Sequence, residues 1–166
     1  MEDPKEAYAR LQNTEEFRKF SENNFNAFLS SFALMSSFEE LETKPWQINF
    51  YVPETKKMTT FIMTDLVEVS HEQDILKKGE IKELKLEDIK IAFNQIFDSA
   101  KIVYEEKKTE DAQTIVVLLQ KNDHVAWTIT FVSATMKMLS VQINAETADI
   151  IEAKQSNFSY KIEKKI

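Results

Sequence analysis

The chain contains no cysteine. Disulfides, thiol nucleophiles and cysteine-based zinc sites are therefore excluded outright. Glycine occurs once, as Gly79, so no glycine-rich phosphate loop can be built. That single glycine and only 3 prolines also rule out collagen-like and low-complexity sequence. No stretch approaches the roughly 18 apolar residues of a membrane span. Lysine and arginine (21) are outnumbered by aspartate and glutamate (28), giving a net charge of −7. A surface of this sign is poorly suited to nucleic acid. Residues 1–80 carry most of the imbalance, an acidic bias that reads first as a solubilising surface.

What is present is enough for a substantial core. The 166 residues are 43% hydrophobic, with 12 phenylalanines, and fit one domain or two small ones. Met1-Glu-Asp-Pro-Lys-Glu6 has neither a basic start nor an apolar run, and on that reading the chain is expected to be cytoplasmic.

The only two tryptophans head one pattern. Trp46-Gln-Ile48-Asn-Phe50 and Trp127-Thr-Ile129-Thr-Phe131 both read W-x-I-x-F, and Thr55-Lys-Lys57-Met58 aligns with Thr135-Met-Lys137-Met138. Internal repeats decide architecture before anything else. The pattern predicts α+β architecture: two repeated α-β-β-β units, with antiparallel sheets each covered by a helix. Residues 1–70 would form the first unit, 71–84 a linker with a short helix, and 85–166 the second unit.

The periodicities fill in these units. Asp3-Pro4 starts a helix over about 4–27, with a kink near Asn13. Alternation from Ser30 to Phe38 predicts a strand, Glu39 to Lys44 a charged loop, and Trp46 to Val52 the next strand. Lys57 to Val69 reads as a third strand bent at Asp65. Ser70-His-Glu-Gln73 looks like a capping box for a short helix ending at Gly79. Leu86-Glu-Asp-Ile89 opens a second long helix, with Ile89, Phe93, Ile96, Ala100 and Val103 on one face. Strands follow over Thr114–Gln120, Trp127–Ser133 and Lys137–Asn144, with a final strand from Ile150 and a tail over 161–166.

The second half resembles a PepSY-like domain. The resemblance rests on Leu86-Glu-Asp-Ile-Lys-Ile-Ala92, on Trp127-Thr-Ile-Thr-Phe131, and on Val141-Gln-Ile-Asn-Ala-Glu-Thr-Ala-Asp-Ile150. That family closes its last hairpin with an acid, alanine, any residue, threonine, glycine and an acid. Here the stretch is Asn144-Ala-Glu-Thr-Ala148-Asp149, with asparagine for the first acid and alanine for the glycine. The resemblance covers about 85–153, and about 28–69 in a more divergent copy that keeps Trp46–Phe50 and Lys57-Met58. It implies a domain that binds or restrains proteins, often outside the cytoplasm, and it brings no catalytic residues.

Candidate chemistry is sparse. His71, with Glu72 and Asp74, is a conceivable metal group, but its spacing matches no established ligand set. His124 sits in a predicted turn. Trp46 and Trp127 could stack on a base or sugar, although a tryptophan heading an amphipathic strand more often packs beneath a helix. Phe17, Phe20, Phe25, Phe28 and Phe32 could line a cavity, or simply seat a helix on a sheet. Glu15-Glu16 and Glu105-Glu106 are neighbours on predicted helices and do not face one another, so they make poor acid–base pairs. The sequence thus predicts no catalytic residue, no metal, no cofactor, no membrane span and no nucleic-acid partner. It points to a non-catalytic protein-binding or regulatory module that receives a protein partner through a sheet edge or face. The alternative is a small-molecule carrier or sensor with an apolar cavity between helix and sheet.

Overall fold

In the computed structural model, which describes residues 1–73 and 79–157, eight strands form one antiparallel sheet. The chain opens with α1 (Pro4–Gln12) and α2 (Glu15–Asn23). Strands β1 (Phe28–Ser36), β2 (Gln47–Val52), β3 (Lys57–Ile62) and β4 (Glu68–Gln73) follow. Then come α3 (Phe93–Lys107) and strands β5 (Ala112–Lys121), β6 (Val125–Ser133), β7 (Lys137–Asn144) and β8 (Ile150–Asn157). The spatial order is β4-β3-β2-β1-β5-β6-β7-β8.

This overturns the expected fold class of two repeated α-β-β-β units with antiparallel sheets each covered by a helix. β1 pairs with β5 from Ser31↔Gln120 to Ser36↔Ile115, so the two runs of strands share one continuous sheet. Each run has four strands: the added strand of the second run is the one expected from Ile150, whereas β4 in the first run is not expected. The bend expected at Asp65 is a complete break: β3 ends at Ile62, and β4 returns beside it. The expected first helix is also broken, because Asn13 ends α1 and Thr14 caps α2, accepting a hydrogen bond from the Phe17 N–H. Ser70–Gln73 belong to β4 and not to a helix start; the rest of the helix expected up to Gly79 lies outside the described residues, as does the 161–166 tail. α3 starts at Phe93, with only a short 3-10 turn at Leu86–Asp88 before it.

All three helices cover one face of the sheet. That face is written in the register: Ile143, Trp127, Leu119, Phe32, Ile48 and Phe61 lie side by side across six strands, and all are fully buried. α1 and α2 add Tyr8, Phe17 and Phe20 against Phe50 and Phe61, with ring centroids 5.3–6.2 Å apart. α3 contributes Phe93, Ile96, Ala100, Val103 and Tyr104. The stretch expected as a linker is tied in as well: Leu84 is buried, and its N–H donates to the Leu29 carbonyl at 2.8 Å.

Both tryptophans are core residues standing at the second strand of each run of four. Their rings meet, with centroids 5.8 Å apart, and Phe93 lies 5.3 Å from one and 5.1 Å from the other. The aligned turns also agree, since Lys56 (φ 57°) and Met136 (φ 65°) are both left-handed. The hairpin between β7 and β8 places Ala148 at φ 66°, where the PepSY-like pattern has glycine. Asn144 holds that turn, its Oδ1 accepting from the N–H groups of Glu146 and Thr147.

Two stability predictions follow from these positions. Trp127→Ala empties the centre of the core and is expected to cost about 3–5 kcal/mol. A change in denaturant midpoint equivalent to under ~1 kcal/mol would contradict that placement. Ala148→Gly relieves a left-handed penalty of about 1–2 kcal/mol and adds about 0.4–1 kcal/mol of unfolded-chain freedom. A net gain of about 0.5–1 kcal/mol is expected as a higher urea midpoint, and a lower midpoint would refute left-handed geometry at residue 148.

Candidate functional site

The side of the sheet away from the helices is covered by no described element, and its composition is unusual. One register row reads Gln142, Thr128, Leu118, Ala33, Gln47 and Ile62 from β7 to β3. The next reads Asn144, Ala126, Gln120, Ser31, Asn49 and Thr60. A third carries Ser140, Thr130, Val116 and Met35. Short rows at the two ends add Met138, Val132 and Thr114, and Phe28, Tyr51 and Met58. No strand position on this face from β3 to β7 is charged, although 30% of the chain is Asp, Glu, Lys or Arg. Charge returns at the outer strands, as Glu68 on β4 and as Glu152 and Lys154 on β8.

The polar groups of this face fall into two sets. Thr60 Oγ1 donates to Asn49 Oδ1 at 2.6 Å, and Asn49 Nδ2 donates to Ser31 Oγ at 2.9 Å, a ladder across three strands. The Thr130 and Ser140 hydroxyls pair at 2.8 Å. Gln47, Gln120, Gln142 and Thr128 form no side-chain hydrogen bond among the described residues. Their donors and acceptors face outward, around an apolar centre of Ala33, Leu118, Val116 and the exposed Met35. Interface cores are depleted of charge in this way, because an uncharged face loses little when water leaves it.

The edges of the sheet, β4 and β8, contain no proline. Lys154 on β8 shares the open face with Ser140 and does not point into the core. Both strands therefore retain the backbone groups that strand addition uses.

The residues singled out in the sequence do not converge. Trp46 and Trp127 are fully buried. Trp46 Nε1 donates to the Glu2 carbonyl at 2.8 Å, whereas Trp127 Nε1 has no acceptor among the described residues. Phe20 and Phe32 are core, Phe17 packs against the core, Phe28 is half-buried beside Tyr51, and Phe25 is 85% exposed, so the phenylalanine series lines no common cavity. His124 is exposed in the β5–β6 turn. His71 and Glu72 lie on β4, and Asp74 falls outside the described residues. Among the described residues no cluster of three metal-ligating side chains occurs. Glu15 pairs with Arg18, and Glu105 with Lys108, as exposed ion pairs. The sequence points to a sheet edge or face but not to the residues of this one, because the apolar half of each strand's alternation dominates; the uncharged other half carries the signal.

Perturbed ionisation is confined to structural positions. Hydrogen bonds from Thr135, then from Lys137 and Ser133, hold the half-buried Glu110 carboxyl at about 2, below its ordinary 4.5. Ion pairs hold Arg18 and Lys108 above their ordinary values, and burial does the same for the Tyr8 hydroxyl. None of these matches a general acid or base poised near neutrality.

No family model matches the chain, and no curated protein matches it. A solved structure described as a "putative lipoprotein" from Clostridium difficile 630 is similar at 10% identity, over 86% of this chain and 91% of that one, with a TM-score of 0.49. Among the described residues no helix is long and apolar enough to cross a membrane.

Glu110 sets a pH dependence. A carboxyl depressed on folding contributes stability above its unfolded value, and that contribution is lost as the pH falls from about 4.5 toward about 2. Glu110→Gln should therefore melt below the wild type at pH 7, and the difference should close by pH 2. A gap that stays constant from pH 7 to pH 2 would remove the carboxylate from the account.

Proposed function

We propose that the chain is a non-catalytic protein-binding module that receives its partner on the open face of the sheet. One observation carries this reading: a broad face covered by no described element and free of charge from β3 to β7, on a chain nearly a third charged. A solvated face with no partner has no need to exclude lysine and glutamate, which are the cheapest residues to leave in water. The outward amides of Gln47, Gln120 and Gln142 both donate and accept, so they suit a neutral, amide-rich partner surface or an extended peptide backbone. The PepSY-like resemblance over 85–153 is in keeping with a protein-binding role.

Site-specific photocrosslinking tests this. A photoreactive phenylalanine analogue is placed at Gln142 on the open face or at Ile102, which is 62% exposed on α3. In native extract, a discrete partner adduct is expected from position 142 and not from 102, and Leu118→Arg should abolish it while leaving the melting temperature nearly unchanged. Equal adducts from both positions, or an adduct that survives Leu118→Arg, would reject the face as the docking surface.

A further inference from the structure

On the helix layer, at the far end of α3, we infer that a second site binds a small amphipathic organic anion, one with a flat apolar body and a single carboxylate or sulfonate. The cavity holds about 370 Å³, within the range of roughly 300–1,000 Å³ typical of small-molecule sites. It lies between the last turn of α3 and the ends of β6, β7 and β8.

Its walls define the class of ligand. Tyr104 and Phe131, stacked with centroids 4.4 Å apart, and Leu139 make the inner wall. Gln155 Nε2 donates to the Lys107 carbonyl at 2.7 Å, joining β8 to the helix end and closing one side. An apolar body is held there. The polar end comes from two groups left uncommitted. The Tyr104 hydroxyl accepts from the Ala112 N–H at 2.8 Å and makes no other hydrogen bond among the described residues, so its own hydrogen remains to be donated. Lys107 forms no ion pair among the described residues, whereas the other lining lysines are engaged: Lys108 with Glu105 and Asp111, and Lys137 with Glu110.

Two features oppose an anion here, and they locate its head. The C-terminal carbonyls of α3 give this end partial negative charge, and Glu110 stays ionised to about pH 2. The Glu110 carboxylate is already occupied by Thr135 and Lys137. The ligand head therefore belongs beside Lys107 and the Tyr104 hydroxyl, and the Lys107 ammonium is what offsets the helix end. The aromatic wall, Lys107 and the Tyr104 hydroxyl lie on the helix side of the sheet, away from the proposed docking face, and only Met138 and Ser156 at the rim belong to strand positions of that face; neither reading depends on the other.

The probe is 8-anilinonaphthalene-1-sulfonate, titrated into the folded, 15N-labelled full chain and followed by NMR. Saturable binding to one site is expected, with shift changes concentrated at Tyr104, Ala112, Phe131, Leu139 and Gln155. Lys107→Ala should weaken binding about tenfold, the scale of one lost charge-assisted hydrogen bond. Lys101→Ala, on the exposed side of the same helix, should leave it unchanged. N-phenyl-1-naphthylamine, which lacks the sulfonate, should bind wild type and Lys107→Ala equally. No saturable binding, shifts centred on the open sheet face, or equal sulfonate affinity for wild type and Lys107→Ala would each overturn the inference.

Discussion

The contact between Trp46 and Trp127 is the constraint on which the rest of this structure turns. Trp46 immediately precedes β2 and Trp127 lies on β6, strands that are not neighbours: β1 and β5 lie between them. Strands about 4.8 Å apart put the two backbones roughly 14 Å from each other. The indoles must reach inward over the middle of the sheet to meet, and Phe93 completes the cluster from the first turn of α3. Among the described residues the two runs of strands are linked in the sheet by the β1–β5 ladder, and this aromatic cluster sits above it. Burial of these large rings adds to the stabilisation that the six paired positions beneath them supply. The N-terminus is drawn in too, since the Trp46 indole is bonded to the Glu2 carbonyl.

The sheet separates two chemistries by parity alone. Phe32, Ile48 and Phe61 face the helices, while Ala33, Gln47 and Ile62, their neighbours in the chain and at the next register step, face away. A one-residue slip would exchange these sets and put glutamine under the helices, so the register is strongly specified. The same parity keeps charge off the open face. Lys57, Lys121 and Lys137 all fall on the helix side, at strand ends where their ammonium groups reach water past the rim of the core. The absence of charge from β3 to β7 is thus a property of side-chain placement and not of a chain poor in charge.

Much of the second half was legible because its signals are local. The β-branched run at Thr114–Gln120, the turn at Lys121–His124 and the alternation in Trp127–Ser133 each fix an element without tertiary help. The W-x-I-x-F pattern correctly marked two core strands. It could not reveal that the strands carrying Ser31–Ser36 and Ile115–Gln120 pair, because a long-range ladder leaves no trace in either segment alone. Lys57–Val69 read as one strand because Met63 is buried and apolar, although the chain turns there; Arg10 reaches back to cap the Met63 and Thr64 carbonyls from α1. Ile89 matched the helical spacing but precedes α3, where its burial belongs to an irregular approach held by the Ala145 carbonyl. The cavity at the end of α3 was illegible for a like reason: it is formed by the helix stopping, and residues from five elements meet only there.

Geometry explains why that cavity opens where it does. Four strands span roughly 14–19 Å, and a helix with its side chains is about 10–12 Å across. Beneath the first run, β1 to β4, two helices share the covering. Beneath the second run a single helix must do so, and α3 packs against β6 and β7. The outermost strand is left short of cover, which is why Ile150 and Ile151 on β8 stay 49% and 44% exposed. α3 is 15 residues long, about 22 Å, and ends at Lys107 before the sheet does. The gap beyond its last turn is bridged by Gln155 and the Lys107 carbonyl and lined by Tyr104 and Phe131. A second helix here, like the α1–α2 pair, would fill the space with side chains. A lone helix leaves it open, with an aromatic wall and, at its mouth, a lysine that forms no ion pair among the described residues.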